Sequence, residues 1–209
     1  MKKITLRMMA LLFIMPVILV GCMKDSAVIP PQSGTSSAQD IDAATASRTF
    51  IYIIEQGNHF ANGAHFPAFI GKVLSFSATF DSSAIYNFTD PETKADQNTL
   101  YGFADDYKKH QQFSARFGWR WYNNQLQIAA YTNNFGDSTI VQMGSVPIGT
   151  PSNYTIVVAG DHYQFTLNNV TISLPRASTT PRAGTYKLIP YFGGNAVAPH
   201  QIHIKIVEN

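Results

Sequence analysis

The sequence predicts an all-β domain of two packed antiparallel sheets, and three observations lead to this prediction. Runs rich in Val, Ile, Thr, Tyr and Phe recur along residues 48–209, separated by clusters of Gly, Pro, Asn and Asp. Helical periodicity is nearly absent from the same residues. Asn123-Asn124 and Ala159-Gly160-Asp161 each join two such runs and are typical of hairpin turns. So many antiparallel strands in one domain favour two sheets packed face to face.

The eleven predicted strands are rich in β-branched and aromatic residues and are bounded by turn residues. Apolar and polar residues alternate in 115–122 and 201–207, as in strands with one buried face. In chain order the strands read FIYIIE (50–55), KVLSFSATF (72–80), TLYGF (99–103), ARFGWRWY (115–122), QLQIAAYT (125–132), TIVQM (139–143), YTIVV (154–158), HYQFTL (162–167), VTISL (170–174), TYKLIPY (185–191) and QIHIKIV (201–207).

Residues 1–21 have the pattern of an export signal. A positive start, Met1-Lys2-Lys3, is followed by an apolar run from residue 8 to residue 20 and by Leu19-Val20-Gly21-Cys22. The pattern resembles the lipobox of bacterial lipoproteins, which implies cleavage before Cys22 and a diacylglycerol on its sulfur. Such an anchor implies a membrane partner and a location in the cell envelope, as an outer membrane lipoprotein that is exposed at the surface. An uncleaved membrane helix would need about twenty apolar residues.

The rest of the chain divides into a tether and a domain. Residues 22–47 are small, polar and proline-containing, so we expect a lipidated cysteine followed by a flexible tether. Residues 48–209 are long enough for one β-sandwich domain with its own core. Cleavage removes Lys2, Lys3 and Arg7, which changes the formal charge from +2 to about −1. This charge does not favour a nucleic-acid partner.

Alternation along 115–122 assigns its side chains to two faces of a sheet. Phe117, Trp119 and Trp121 share one face, which we expect to be a wall of the core. Arg116, Arg120 and Tyr122 share the other face. The strand therefore presents two guanidinium groups and a phenol away from the core.

Three longer segments resemble a known fold. TIVVAGDHYQFTLNNVTISL, FGWRWYNNQLQIAAY and LIPYFGGNAVAPHQIHIKI are similar to the strand pattern of the concanavalin A-like (lectin/glucanase, laminin G-like) jelly-roll sandwich. A group of lipoproteins of Bacteroides-like gut bacteria shares short motifs with the chain, namely Gly57-Asn58-His59, Ser114-Ala115-Arg116-Phe117-Gly118-Trp119, Pro190-Tyr191-Phe192-Gly193-Gly194 and Ala198-Pro199-His200. The resemblance implies an all-β, two-sheet antiparallel jelly roll on an envelope lipoprotein. It does not imply a reaction.

Non-catalytic binding of a glycan or another cell-surface polymer is the function that the composition favours. Aromatic rings that the core does not need can stack on the apolar faces of sugars, while Asn, Gln and Arg bond the hydroxyl groups. We expect the ligand to be bound on one strand face, the turn after it and the next strand. The predicted ligand-binding residues are Arg116, Arg120, Tyr122, Asn123 and Tyr131.

A polysaccharide lyase is the alternative from another class. Such an enzyme needs a tyrosine or histidine base and a cation to neutralise a uronate carboxylate. Arg116, Arg120, Tyr122, Tyr131 and His110 contain such a set. A structural or adhesive lipoprotein that binds protein is a third alternative.

A glycoside hydrolase normally needs two carboxylates about 5–10 Å apart. The domain has only Glu55, Glu92 and Glu208 as glutamates, one of them at its extreme C-terminal end. Asp105 and Asp106 are adjacent in a predicted loop and would diverge on a strand, so we interpret them as lining a calcium ion or a solvated loop. The carboxylates therefore favour hydrolysis less than binding.

His59, His110 and His200 are the candidate metal ligands, because imidazole suits zinc. None of them belongs to a familiar zinc motif with tight i, i+2 or i, i+4 spacing. Histidines in such positions more often bond a loop carbonyl. We therefore predict no cofactor, with zinc and calcium as alternatives.

Overall fold

Six strands build each of two antiparallel sheets in the computed structural model, which describes residues 47–63 and 66–209. The predicted signal peptide (1–21), Cys22 and nearly all of the predicted tether (22–47) lie outside these residues. In the part of the chain that the structure describes, neither the length nor the apolar character of any helix is sufficient for a membrane span.

Twelve strands follow one another along the described residues. In chain order they are β1 (Arg48–Ile54), β2 (Ala68–Gly71), β3 (Val73–Phe80), β4 (Asn98–Ala104), β5 (Phe113–Tyr122), β6 (Gln125–Asn134), β7 (Asp137–Val146), β8 (Ser152–Ala159), β9 (His162–Leu167), β10 (Val170–Pro175), β11 (Ala183–Leu188) and β12 (Ile202–Glu208). The first sheet has the order β1-β12-β3-β8-β9-β10, and the second has the order β2-β11-β4-β5-β6-β7. A 3₁₀ turn (Ser82–Ala84) and a short helix, α1 (Pro91–Ala95), lie between β3 and β4.

The predicted two-sheet antiparallel sandwich is confirmed, and each of the eleven predicted strands has a counterpart. One strand, β2, was not predicted; it is a four-residue edge strand whose residues are exposed or half-exposed. The helix α1 was also not predicted; it begins where the Asp90 carboxylate accepts a hydrogen bond from the Thr93 amide and where Pro91 occupies the first helical position.

Aromatic side chains fill much of the space between the sheets. Phe76 and Tyr154 of the first sheet stack with ring centroids 5.0 Å apart, and Phe117 of the second sheet meets Tyr154 edge-on at 5.0 Å. Trp119 is fully buried against Phe80, at 5.2 Å. The predicted core positions of Phe117 and Trp119 are confirmed. Trp121, at the end of β5, packs against the core but is only half-buried.

Two local features shape the outer face of the second sheet. They are the tight hairpin between β5 and β6 and the close approach of β4 to β5. Asn123 and Asn124 form the turn between β5 and β6 with φ values of 52° and 57°, which asparagine tolerates better than most residues. On β4, a Cβ added to Gly102 would lie 2.3 Å from the Ala115 carbonyl oxygen and 2.4 Å from the Arg116 Cβ. Glycine at position 102 therefore makes room for the start of the Arg116 side chain.

Candidate functional site

A pocket of about 300 Å³ lies on the face of the second sheet that points away from the core. The register of β5 and β6 places Arg116 opposite Tyr131 and Ser114 opposite Asn133. Side chains from the connections around the sheet complete the walls. We call this cavity the sheet pocket, and its lining includes Gln97, Thr99, His110, Arg116, Tyr131 and Tyr191.

Arg116 is the charged group of the sheet pocket, and it is only 7% exposed. Its Nη1 donates to the Ser114 hydroxyl at 2.9 Å and its Nη2 donates to Asn133 Oδ1 at 3.0 Å. The guanidinium carbon lies 3.8 Å from the centre of the Tyr131 ring, which is a cation–π contact. Burial lowers the pKa of Arg116, but a guanidinium keeps its charge in proteins.

The Arg116 charge has no acidic partner among the described residues, since the four ion pairs there join other side chains. Its Nε is buried and has no hydrogen-bond partner within the described chain. Buried charges are normally paired, because an isolated charge loses its hydration. Arg176 shows the usual arrangement, with its Nε 2.8 Å from Asp105 Oδ2.

Gln97 contributes a second set of unused hydrogen-bonding atoms. Its Oε1 and Nε2 are buried, and neither has a partner among the described residues. The backbone of Gln97 is held closely, because a Cβ on Gly193 would lie 2.2 Å from the Gln97 carbonyl oxygen. The next residue, Asn98, accepts a hydrogen bond from the Gly193 amide at 2.7 Å. The Gly193 segment thus fixes the Gln97 backbone at the pocket.

His110 lines the pocket and is held by the Tyr186 hydroxyl. That hydroxyl lies 3.1 Å from the His110 backbone nitrogen and 3.0 Å from its Nδ1. Burial, and after it the positive charge of Arg116, lower the pKa of His110 below the ordinary value of 6.5. The imidazole is therefore neutral at neutral pH and can accept or donate a proton there.

Two exposed phenylalanines also line the pocket. Phe60 is 58% exposed and Phe66 is 50% exposed. The Phe60 ring meets Tyr191 edge-on at 5.0 Å, and the Phe66 ring lies 4.9 Å from Tyr186. Each exposed phenylalanine is therefore supported by a tyrosine.

The structure divides the five predicted ligand-binding residues between two cavities and the surface beside them. Arg116 and Tyr131 line the sheet pocket, whereas Tyr122 and Asn123 line a second cavity of about 580 Å³. Arg120 lines neither of these cavities, because its Nε donates to Gln127 Oε1 at 3.0 Å and its Nη1 to the Ala95 carbonyl at 2.7 Å. Its guanidinium lies over the Tyr122 ring at 4.6 Å.

The three candidate metal ligands lie in separate environments. His59 Nδ1 lies 2.8 Å from the Phe192 carbonyl oxygen, and His200 Nε2 lies 2.8 Å from that of Ser83. Of the three, only His110 has a side-chain hydrogen-bond partner, which is the Tyr186 hydroxyl. Within residues 47–63 and 66–209, no three His, Cys, Asp or Glu side chains are placed to hold a metal ion together.

Asp105 does not lie in a solvated loop, which corrects the expectation for the Asp105-Asp106 pair. It is fully buried, and besides Arg176 its carboxylate accepts a hydrogen bond from the Tyr163 hydroxyl. Asp106 accepts from the Ser178 hydroxyl at 2.9 Å. The Asp105 carboxylate therefore serves an internal ion pair, and no aspartate or glutamate is found among the described residues that line the sheet pocket.

Sequence reasoning did not assign a role to Gln97, Tyr186, Phe60 or Phe66. Gln97, Phe60 and Phe66 lie in connections, where alternation gives no information about direction. Tyr186 lies on β11, within a run that was predicted only as a strand. The repeated glycines at 193 and 194 were a usable signal, because close backbone approach often requires glycine. They mark the segment that packs against Gln97.

The chain is similar in fold to several solved structures. The alginate lyase AlyC3 superposes with a TM-score of 0.50 at 10% identity, over 76% of this chain and 72% of that one. An alginate lyase from Klebsiella pneumoniae gives 0.48 at 11% identity, over 66% of this chain and 57% of the enzyme, so the chain spans little more than half of the enzyme's length. The carbohydrate-binding module CBM66 from Bacillus subtilis gives 0.36 at 7% identity, over 68% of this chain and 74% of the module.

Sequence comparison identifies no relative of the chain. No protein-family model matches the chain, and no curated protein matches it. The fold likeness to AlyC3, together with the observed sheet order, shows that the domain is an all-β, two-sheet jelly-roll sandwich.

Proposed function

We propose that the domain binds a carboxylated polysaccharide, one that contains uronate sugars, in the sheet pocket. The buried and unpaired charge of Arg116 is the observation that carries the proposal. A ligand carboxylate in the pocket, which Arg116 lines, would supply the missing anion to its guanidinium. Hydrogen bonds between a guanidinium and a carboxylate are roughly twice as strong as neutral ones.

Selectivity for an acidic glycan follows from the same geometry. A neutral sugar of the same shape would leave the guanidinium without a counter-charge, and sites built around such a group reject ligands that lack the partner. Gln97 lines the same pocket, and its side-chain amide can both donate and accept hydrogen bonds. The neutral lining allows an anionic ligand to approach without repulsion from an aspartate or glutamate in the described part of the pocket.

Titration calorimetry with uronate and neutral oligosaccharides tests this function. Alginate oligomers are the first ligands to try, because AlyC3, which shares the fold, is an alginate lyase. We expect the uronate oligomers to bind and neutral mannose oligomers of equal length to bind at least about tenfold more weakly. Arg116→Gln should remove the preference, whereas Arg120→Gln should keep it because Arg120 does not line the pocket. Equal binding of both oligomers, with circular dichroism showing folded variants, would overturn the proposal.

Elimination by a polysaccharide lyase is the second candidate, and the neutral His110 beside Arg116 favours it. With Arg116 against the uronate carboxylate, the C5 proton becomes more acidic and His110 can take it. The C4–O bond then breaks, a C4=C5 double bond forms, and the leaving oxygen takes up a proton. The unsaturated product absorbs ultraviolet light. Growth of this absorbance in the wild type and its loss in His110→Gln would establish a lyase, and unchanged substrate would leave binding alone.

The same proposal extends to the location of the domain. We infer that Cys22 carries the lipid and that the tether holds the domain at the outer membrane, facing glycans of the cell surface. A polymer-binding site on a tethered domain would gain from many anchored copies acting together. Pull-down of protein, with no glycan bound at any tested length, would instead favour the adhesive alternative.

A further inference from the structure

We propose that the sheet pocket binds the interior of a polysaccharide chain, with Phe60 and Phe66 stacking on sugars that flank the carboxylate held by Arg116. The inference rests on the proposed function and adds a specificity for long ligands. Both phenylalanines leave half or more of their surface in water, and both line the same pocket as Arg116. Exposed apolar surface beside polar groups is typical of a binding site.

The tyrosines that support the two rings lie beside different ends of β4. Tyr191, which supports Phe60, forms bridges to Thr99 at the start of β4 and to Phe60 itself. Tyr186, which supports Phe66, lies on β11 just before Lys187, which pairs with Phe103 near the end of β4. Thr99 and Phe103 are four residue steps apart along an extended strand, a distance of about 13 Å. The supports of the two rings are thus farther apart than one sugar ring is wide.

Arg116 lies beside β4 at a point between Thr99 and Phe103. It pairs with Gly102 of β4, while Leu188 of β11 pairs with the same glycine from the other side. A chain whose carboxylate meets Arg116 can therefore extend toward Thr99 and toward Phe103. Each direction leads to one of the exposed phenylalanines.

Each ring is supported before any ligand arrives. Phe60 contacts Tyr191, and Tyr191 in turn stacks on His59 with centroids 5.3 Å apart and planes 11° apart. Phe66 contacts Tyr186, whose hydroxyl is bonded to His110. Such contacts limit the motion of the rings and so reduce the entropy lost on binding. The C–H face of a sugar then replaces water on the open side of each ring.

Phe135 provides a matched control. Its side chain is 76% exposed, the highest value for a large apolar residue in the described part of the chain, and its ring meets Phe113 edge-on at 5.0 Å. It does not line the sheet pocket. Replacing it removes an exposed aromatic ring of the same size without touching the proposed ligand path.

The test is titration of the purified full-length chain with a uronate dimer and a uronate hexamer. We expect the hexamer to bind more tightly, and Phe60→Ala and Phe66→Ala each to weaken hexamer binding by about three- to tenfold. The affinity for the dimer should change less in both variants, so the ratio of hexamer to dimer affinity should fall. Phe135→Ala should bind both ligands like the wild type.

The outcomes separate the two proposals. Hexamer binding that Arg116→Gln removes but Phe60→Ala and Phe66→Ala leave unchanged would overturn the interior-binding inference and keep the proposed function. A wild type that binds neither uronate ligand would overturn both. A loss in Phe135→Ala equal to that in Phe60→Ala would also overturn the inference, because the effect would then be general to exposed rings.

Discussion

The guanidinium carbon of Arg116 lies 3.8 Å from the centre of the Tyr131 ring, which its partner strand places directly opposite. The ring limits the positions that the guanidinium can take, and the two other contacts of Arg116 fix its Nη atoms. The guanidinium is therefore held in one orientation at the sheet pocket. Preorganisation of this kind lowers the cost of binding a carboxylate.

Tyr131→Leu should weaken uronate binding, while Tyr131→Phe should retain most of it. The face of a phenyl ring attracts a guanidinium much as a phenol does, and such contacts contribute about 0.5–2 kcal/mol. The Tyr131 hydroxyl lies 3.4 Å from the Ser138 hydroxyl, a long contact that we expect to matter little. Calorimetry on both variants separates the ring from the hydroxyl, and equal losses in the two would contradict the cation–π role.

Trp119→Ala should lower the free energy of unfolding by about 3–5 kcal/mol, because it leaves a large cavity between the sheets. Trp119 is fully buried, whereas Trp121 on the same face is half-buried at the strand end. Trp121→Ala should therefore be less destabilising. Chemical denaturation of both variants checks the order, and a larger effect for Trp121 would contradict the packing described.

Alternation predicted the direction of the β5 side chains but not their depth. It placed Trp119 toward the core and Arg116 away from it, and both directions are correct. It could not show that connections cover the outer face, which leaves Arg116 only 7% exposed. The cover comes from residues far away in sequence, such as Gln97 and Tyr191. The two-residue alternation along a strand predicts which face of the sheet a side chain is on, but not which other residues pack against that face.

The same limit explains the error on Asp105. Its partner Arg176 is 71 residues away along the chain, and neither residue lies in a motif that would link them. The adjacent Asp106 and the predicted loop had instead led us to expect that Asp105 lines a calcium ion or a solvated loop. Local patterns thus predicted the sandwich and its hairpins, whereas pairings between distant connections required the structure.

Arg176→Met should destabilise the protein by about 3–5 kcal/mol, because it leaves the buried Asp105 carboxylate without its counter-ion. Arg182 is exposed, so Arg182→Met should change stability by no more than about 0.5 kcal/mol. The double variant Asp105→Leu with Arg176→Met should lose less than the two single variants together, since no unpaired charge remains. Urea denaturation of the wild type, the three single variants (Asp105→Leu, Arg176→Met and Arg182→Met) and the double variant checks these values, and additive losses would argue against a coupled pair.

Cys22→Ser should release the protein from the membrane or leave an uncleaved precursor, because acylation requires the sulfur. Cys22 is the only cysteine of the chain, so no other thiol can substitute for it. Membrane fractionation combined with metabolic labelling by a fatty acid measures the effect. A wild type that takes up no label would contradict the lipoprotein proposal, whatever the variant does.

The stability of the fold should depend on pH through His110. Burial, and then the charge of Arg116, lower its pKa in the folded state, whereas a histidine in the unfolded chain titrates near about 6.5. Between the lowered pKa and about 6.5 the unfolded state binds more protons, so the free energy of unfolding rises with pH in that window. The stability that the neutral His110 contributes is complete above about pH 6.5, and it is lost as the pH falls through the pKa of the folded state.

His110→Gln should remove this part of the pH dependence, because glutamine does not titrate. Tyr186→Phe is the matched control, since it deletes the hydroxyl that contacts His110 Nδ1 but keeps the buried imidazole. We expect Tyr186→Phe to retain the slope of the wild type, even where its overall stability is lower. Urea denaturation at a series of pH values below neutrality gives the slopes, and an unchanged slope in His110→Gln would show that other groups cause the dependence.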